Sequence, residues 1–94
     1  MQVIYYYLNI HLLAMEAKMS VTLYSTPSCA YCRMAKDYFR TKGVAFTEYN
    51  VASDQRKADE MVRKSGQMGV PVIDVNGSII IGFNKVEIER ALHR

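Results

Sequence analysis

Two cysteines are the residues of this chain best suited to chemistry. They stand three positions apart in Thr26-Pro27-Ser28-Cys29-Ala30-Tyr31-Cys32 and are the only 2 among 94 residues. A Cys-x-x-Cys pair between a strand and a helix reads as a thiol redox site. A structural bridge is the poorer reading, because so small a loop removes little freedom from the unfolded chain. Cys29 falls where a helix begins. Unpaired N–H groups and the positive end of the helix dipole favour an anion there, so its thiolate is stabilised. Cys32 lies one turn further in, less exposed and less acidic. Helical neighbours at this spacing are about 5–6 Å apart, within the about 4.4–6.8 Å between Cα atoms that a disulfide tolerates. The roles follow. Cys29 is the nucleophile that attacks a substrate disulfide, and Cys32 is the resolving thiol that attacks the mixed disulfide so formed. Arg33 and Lys36 could add positive potential nearby, although ordinary surface charge is the simpler account of each.

The elements that must position this pair can be traced along the chain. Residues 20–24, with Val21, Thr22, Leu23 and Tyr24, form a short apolar run suited to a central strand. Ser25 to Ser28 break it with a proline and small polar groups. From Ala30 to Lys42 the period becomes helical, with Tyr31, Met34, Ala35, Tyr38 and Phe39 as the expected core stripe and Gly43 as the cap. Val44 to Val51 supplies a second strand. Ser53 is the expected N-cap of the next helix, with Asp54 in its first turn. Ala58, Met61 and Val62 form its apolar stripe, the charges from Arg56 to Lys64 its solvated face, and Gly66 its end. Val70 to Val75 is the third strand and Ser78 to Ile81 the fourth. Asn76-Gly77 between them is a strong hairpin signal, because a type I′ turn needs positive φ at both positions. Asn84 and Glu87 resemble a capping box for a last helix that buries Val86, Ala91 and Leu92. The order β-α-β-α-β-β-α predicts an α/β fold, a mixed four-stranded sheet flanked by helices.

Residues 1–18 stand apart as an N-terminal extension, with the folded domain at 19–94. The apolar run from Val3 to Met15 is shorter than the about 20 residues that span a bilayer. No Lys or Arg precedes it and no small-x-small site follows, which argues against a secretory signal. The preferred reading is that Met15 or Met19 is the natural start. An additional element covering the domain is the alternative. No membrane association is expected, and a cytoplasmic location is.

The chain suffices for one small domain. With a net charge of +3 and no basic stripe interleaved with aromatics, nucleic-acid binding is not expected. A closed zinc site needs four ligands; beside the two cysteines there are only His11 and His93, neither at motif spacing. Pro71 is the other informative position. A proline at a strand start removes a ladder donor and suggests a strand end near a site. Were the bond cis, the Val70 backbone would be free to pair with an extended substrate. The pattern alone favours the commoner trans form.

Three ordered stretches carry a resemblance: Tyr24 to Cys32, then Ser65-Gly66-Gln67-Met68-Gly69-Val70-Pro71, then Ile81-Gly82-Phe83-Asn84. Together they resemble the signature regions of glutaredoxins and glutaredoxin-like proteins over about residues 20–94. The resemblance implies a thioredoxin-like fold, a cis Val70-Pro71 bond facing the cysteines, and dithiol exchange on protein disulfides or glutathione mixed disulfides. It implies substrate or glutathione contacts at Thr26, Tyr31, Val70, Pro71, Phe83 and Asn84. It also implies no tightly bound cofactor, with glutathione as a co-substrate, and a monomer acting on disulfide-containing proteins. Many glutaredoxins place a lysine at the position of Thr26, and Gly-Gly followed by an aspartate near Gly82 to Lys85. Here neutral hydrogen bonds replace charge-assisted ones, so glutathione binding is weakened or altered. Gly82-Phe83 resembles redoxins that draw electrons from thioredoxin reductase, whereas Tyr31 resembles glutaredoxins. Both donors, glutathione and thioredoxin reductase, therefore stay open. The rival function is an iron–sulfur or other metal-binding module using Cys29, as in some relatives whose dimers hold a cluster with bound glutathione.

Overall fold

The computed structural model describes residues 20–94. The extension at residues 1–18, with Met15 and His11, and the alternative start Met19 lie outside the described residues. The elements are β1 (Val21–Ser25), α1 (Ala30–Lys42), β2 (Thr47–Asn50), α2 (Gln55–Ser65), β3 (Val72–Val75), β4 (Ser78–Ile81) and α3 (Lys85–Leu92). They follow the predicted order.

The sheet runs β2-β1-β3-β4. β1 is parallel to β2 and antiparallel to β3, and β3 is antiparallel to β4. Strand β1 lies inside the sheet and is covered on both faces, which is why it reads as a nearly continuous apolar run. The two-residue period assigns its side chains. Val21 and Leu23, opposite Val75 and Ile73 in register, join the core beneath α1 and α3 with Ala35, Phe39, Ile80, Ile88 and Ala91. Tyr24, opposite Val72, points to the other face and packs against Met61 of α2.

Local chemistry sets the element ends. Helix α1 ends at Gly43, whose φ of 71° is left-handed, and the Val44 N–H turns back to the Phe39 carbonyl at 2.8 Å. The hairpin between β3 and β4 has φ of 51° at Asn76 and 94° at Gly77, as a type I′ turn requires. Asp74 Oδ1 accepts the Gly77 N–H at 2.7 Å and holds that turn closed.

Several local expectations are corrected. The core stripe of α1 is Cys32, Ala35 and Phe39, with Tyr38 half-buried, whereas Tyr31 and Met34 are exposed. The Cys32 side chain fills the place that the aromatic pattern assigned to Tyr31, since cysteine packs as a small apolar group. In α2 only Met61 is fully buried; Ala58 is half-buried and Val62 exposed. Its N-cap is Asp54 rather than Ser53: Asp54 Oδ1 accepts the Lys57 N–H at 3.1 Å, while the Ser53 N–H donates to Asn50 in the preceding turn. Strand β2 begins at Thr47, not Val44; Val44 and Phe46 pack on the core outside the ladder. In α3 the buried residues are Ile88 and Ala91, with Leu92 half-buried, and Val86 is exposed. Positions 88, 91 and 92 share a face by the i, i+3, i+4 rule, and Val86 falls off it.

Candidate redox site

The cysteine turn connects the C-terminal end of β1 to the N-terminus of α1. Its backbone is drawn tight by the Cys29 N–H, which donates to the Thr26 carbonyl at 3.3 Å. Cys29 is the N-cap of α1, in extended backbone geometry (φ −93°, ψ 112°). Its sulfur accepts the Cys32 N–H at 3.1 Å. One of the free donors at the helix start is thus already aimed at Sγ, where a thiolate would gain most from it. The two cysteines are joined as a disulfide with Cα atoms 5.2 Å apart. Cys29 is half-buried, whereas Cys32 is 1% exposed. This difference in access is the one expected from their positions on the helix.

Val70-Pro71 is a cis peptide immediately before β3. The Pro71 carbonyl accepts the Gly82 N–H at 2.9 Å, which ties this bond to the turn after β4. Tyr31, Val70, Pro71 and the run Ile81 to Asn84 line one groove of about 350 Å³, and none of these side chains is charged. Phe83 is held by the Tyr38 ring, edge on at 5.8 Å. Asn84 caps α3, its Oδ1 accepting the Glu87 N–H at 3.2 Å. Five of the six substrate positions expected from the sequence therefore meet at one groove. The sixth, Thr26, stands in the cysteine turn and is not among the lining residues. Ile81 and Gly82 complete the groove; they belong to the third signature stretch, which was the signal available for them. A larger hollow of about 530 Å³ is lined by charged side chains from Asp54 to Arg63 on and before α2, and shares no residue with the cysteine turn.

Two polar clusters hold the end of β1, one on each face. Ser25, buried at the end of β1, donates to Glu48 Oε2 at 2.6 Å, and Lys36 Nζ reaches the same oxygen at 3.1 Å. The Ser25 hydrogen bond, helped by Lys36, holds the Glu48 carboxyl below its ordinary range against the opposing effect of burial. On the other face Tyr24 donates its hydroxyl to Glu60 and accepts from Lys64 Nζ at 2.8 Å, while Lys64 also reaches Asp74 at 2.8 Å. Burial first, and the Glu60 contact next, raise the Tyr24 phenol above 10.0. Hence Lys57, Glu60 and Lys64 are more than a solvated face: Glu60 and Lys64 satisfy a buried phenol, and Lys57 bonds Glu60 at 3.1 Å. Neither cluster was legible in the sequence, because each joins elements distant along the chain.

Among the described residues no group of three or more His, Cys, Asp and Glu side chains is placed to hold a metal ion. His93 lies near the C-terminus, 3.3 Å from Glu89. No described helix is long and apolar enough to cross a membrane.

A cysteine pair at the strand-to-helix junction of this mixed sheet, with a cis proline beside the groove, defines a thiol redox protein of the thioredoxin-like fold. The glutaredoxin family model matches residues 21–80, and the chain belongs to the glutaredoxin family. It is 43% identical over 74 residues to an uncharacterised glutaredoxin-like 8.6 kDa protein of the rubredoxin operon of Clostridium pasteurianum, covering 79% of this chain and 99% of the relative. It is 35% identical over 63 residues to glutaredoxin 3 of Escherichia coli K12, covering 67% and 76% respectively. Among solved structures it resembles the glutaredoxin-like NrdH-redoxin of Escherichia coli, with a TM-score of 0.70 and 26% identity over 77% of this chain and 93% of that one. That structure is described as the basis of a thioredoxin-like activity profile.

Proposed function

We propose that the chain is a dithiol–disulfide oxidoreductase in which Cys29 is the nucleophile and Cys32 the resolving thiol. The observation that carries this reading is the asymmetry of the pair: Cys29 Sγ caps the helix and receives an N–H, and Cys32 is buried behind it. In the reduced protein the Cys29 thiolate attacks one sulfur of a substrate disulfide and expels the other as a thiolate, which takes up a proton. Cys32 then loses its proton and attacks Cys29 Sγ. The substrate's second thiol leaves, and the Cys29–Cys32 disulfide remains. Two electrons have passed to the substrate, and an external thiol donor returns them.

The uncharged groove beside Val70-Pro71 is the proposed substrate subsite, with Tyr31, Phe83 and Asn84 around an extended segment and Thr26 at the cysteine turn. It suits a polypeptide disulfide better than glutathione, whose carboxylates and ammonium would find no opposite charge there. Glutathione remains a co-substrate in this reading, and thioredoxin reductase the alternative donor. The thioredoxin-like activity profile ascribed to the NrdH-redoxin of Escherichia coli is the support for keeping that alternative. A monomer without a tightly bound cofactor, working in a reducing, cytoplasmic compartment, suits this chemistry.

Reduction of a protein disulfide should be abolished in Cys29→Ser. Cys32→Ser should accumulate mixed disulfides at Cys29 that intact-mass spectrometry detects. Unchanged turnover without Cys29 sinks the assignment. Supplying oxidised protein with glutathione and its reductase, or with thioredoxin reductase, identifies the donor.

A further inference from the structure

Three elements that converge on the cysteine turn meet at a single carboxylate. Ser25 closes β1 four residues before Cys29, Glu48 lies on β2, and Lys36 lies on α1. Glu48 Oε2 is 2.6 Å from Ser25 Oγ and 3.1 Å from Lys36 Nζ. The lysine and glutamate side chains are only 25% and 33% exposed. Lys36 is one turn beyond Cys32 and two turns beyond Cys29, about 10 Å along the helix axis. The other charges in the first two turns of α1, Arg33 and Asp37, are exposed, and Asp37 faces Arg40 at 3.6 Å. On the opposite face Glu60 and Lys64 are engaged with Tyr24.

An unpaired ammonium at Lys36 would stabilise the Cys29 thiolate. It would thereby stabilise the reduced form and make the disulfide more oxidising. A carboxylate 3.1 Å from that ammonium cancels most of its field. We propose that Glu48 is a positioning residue for the redox centre, neutralising Lys36 one helix turn beyond Cys32 and so keeping the Cys29–Cys32 couple more reducing than Lys36 alone would make it. The inference rests on the Cys29–Cys32 pair acting as the dithiol–disulfide couple. On reduction the S–S bond breaks with two electrons from a dithiol donor, Cys32 takes up a proton, and Cys29 remains as the thiolate on which the pair's field acts.

The test compares the full chain with Glu48→Gln, Lys36→Met and the double variant, each equilibrated with dithiothreitol redox buffers and read by alkylation and mass. A glutamine amide oxygen still accepts the Ser25 hydrogen bond, so Glu48→Gln removes charge and keeps the contact. One charge at about 10 Å in a medium between protein and water changes the couple's equilibrium constant about threefold, or about 15 mV. Glu48→Gln is expected to be about threefold more oxidising and Lys36→Met about threefold more reducing, with the double variant back at the parent value. Shifts of the same sign in both single variants, or no shift in either, overturn the proposal. Should Glu48→Gln not fold, Lys36→Met decides alone, since a more oxidising or unchanged couple contradicts it. The Cys29 role is read separately by titrating the remaining thiol in Cys32→Ser. An ordinary thiol pKa there defeats that assignment, whereas the redox equilibrium responds whichever cysteine is acidic.

Discussion

At the scale of single residues, the chemistry depends on where one helix turn places two sulfurs. Cys29 and Cys32 were identifiable from spacing alone, because three residues on a helix fix both the reach of a disulfide and the difference in exposure. Asn84 occupies a helix cap and the wall of the proposed substrate groove at once, capping α3 through the Glu87 N–H. Aspartate caps as well as asparagine, so Asn84→Asp should leave the helix intact while adding a negative charge to an uncharged wall. A charge-assisted bond to a ligand ammonium is worth about 1.5 kcal/mol or more, so the KM for a glutathione mixed disulfide should fall about tenfold. Steady-state kinetics with that substrate checks it; an unchanged KM would place the ligand ammonium elsewhere.

At the scale of elements, helix ends decide where the functional groups sit, and they are the least certain thing to read from a sequence. Ser53 and Asp54 are both good caps, and only the path of the chain from β2 selects Asp54, since Ser53 is engaged with Asn50. Asp54→Ala should therefore destabilise the chain by about 1 kcal/mol, whereas Ser53→Ala should have a much smaller effect. Urea denaturation of the two variants distinguishes the caps. The misassigned stripe of α1 has a similar origin. Cys32 is a core residue as well as a redox-site candidate, and the buried face of α1 therefore runs through Cys32, Ala35 and Phe39. Tyr31 and Met34 are thereby turned outward, and Tyr31 is free to line the groove.

At the scale of the whole molecule, two carboxylates bind β1 to its neighbours through buried hydroxyls. Hydrogen bonds from Ser25 and from Tyr24 respectively hold Glu48 and Glu60 below the ordinary 4.5. A carboxyl that ionises more readily when folded contributes stability that is complete above its unfolded value and lost as pH falls through the lowered one. The thermal midpoint should thus hold steady near neutrality and fall as pH drops below about 4.5. Replacing Glu60 by Gln should flatten that fall, as thermal unfolding across the acid range would show. A midpoint that falls equally with and without Glu60 would assign the acid sensitivity to other groups.

Element order, the type I′ hairpin at Asn76-Gly77 and the placement of the two cysteines at a helix start are all legible along the chain. These are local properties: periodicity, turn chemistry and the few residues around a cap decide them. Tertiary structure alone decided three further things. It set the isomer of Val70-Pro71 as cis, which the bare pattern leaves to the commoner trans form and which only the family resemblance implied. It assembled one groove from the cysteine turn, the cis peptide and the turn after β4. It also brought Glu48 to Ser25 and Lys36, because parallel pairing of β1 with β2 joins residues more than twenty positions apart. Contacts of that range depend on how the sheet closes and leave no periodic trace along the chain.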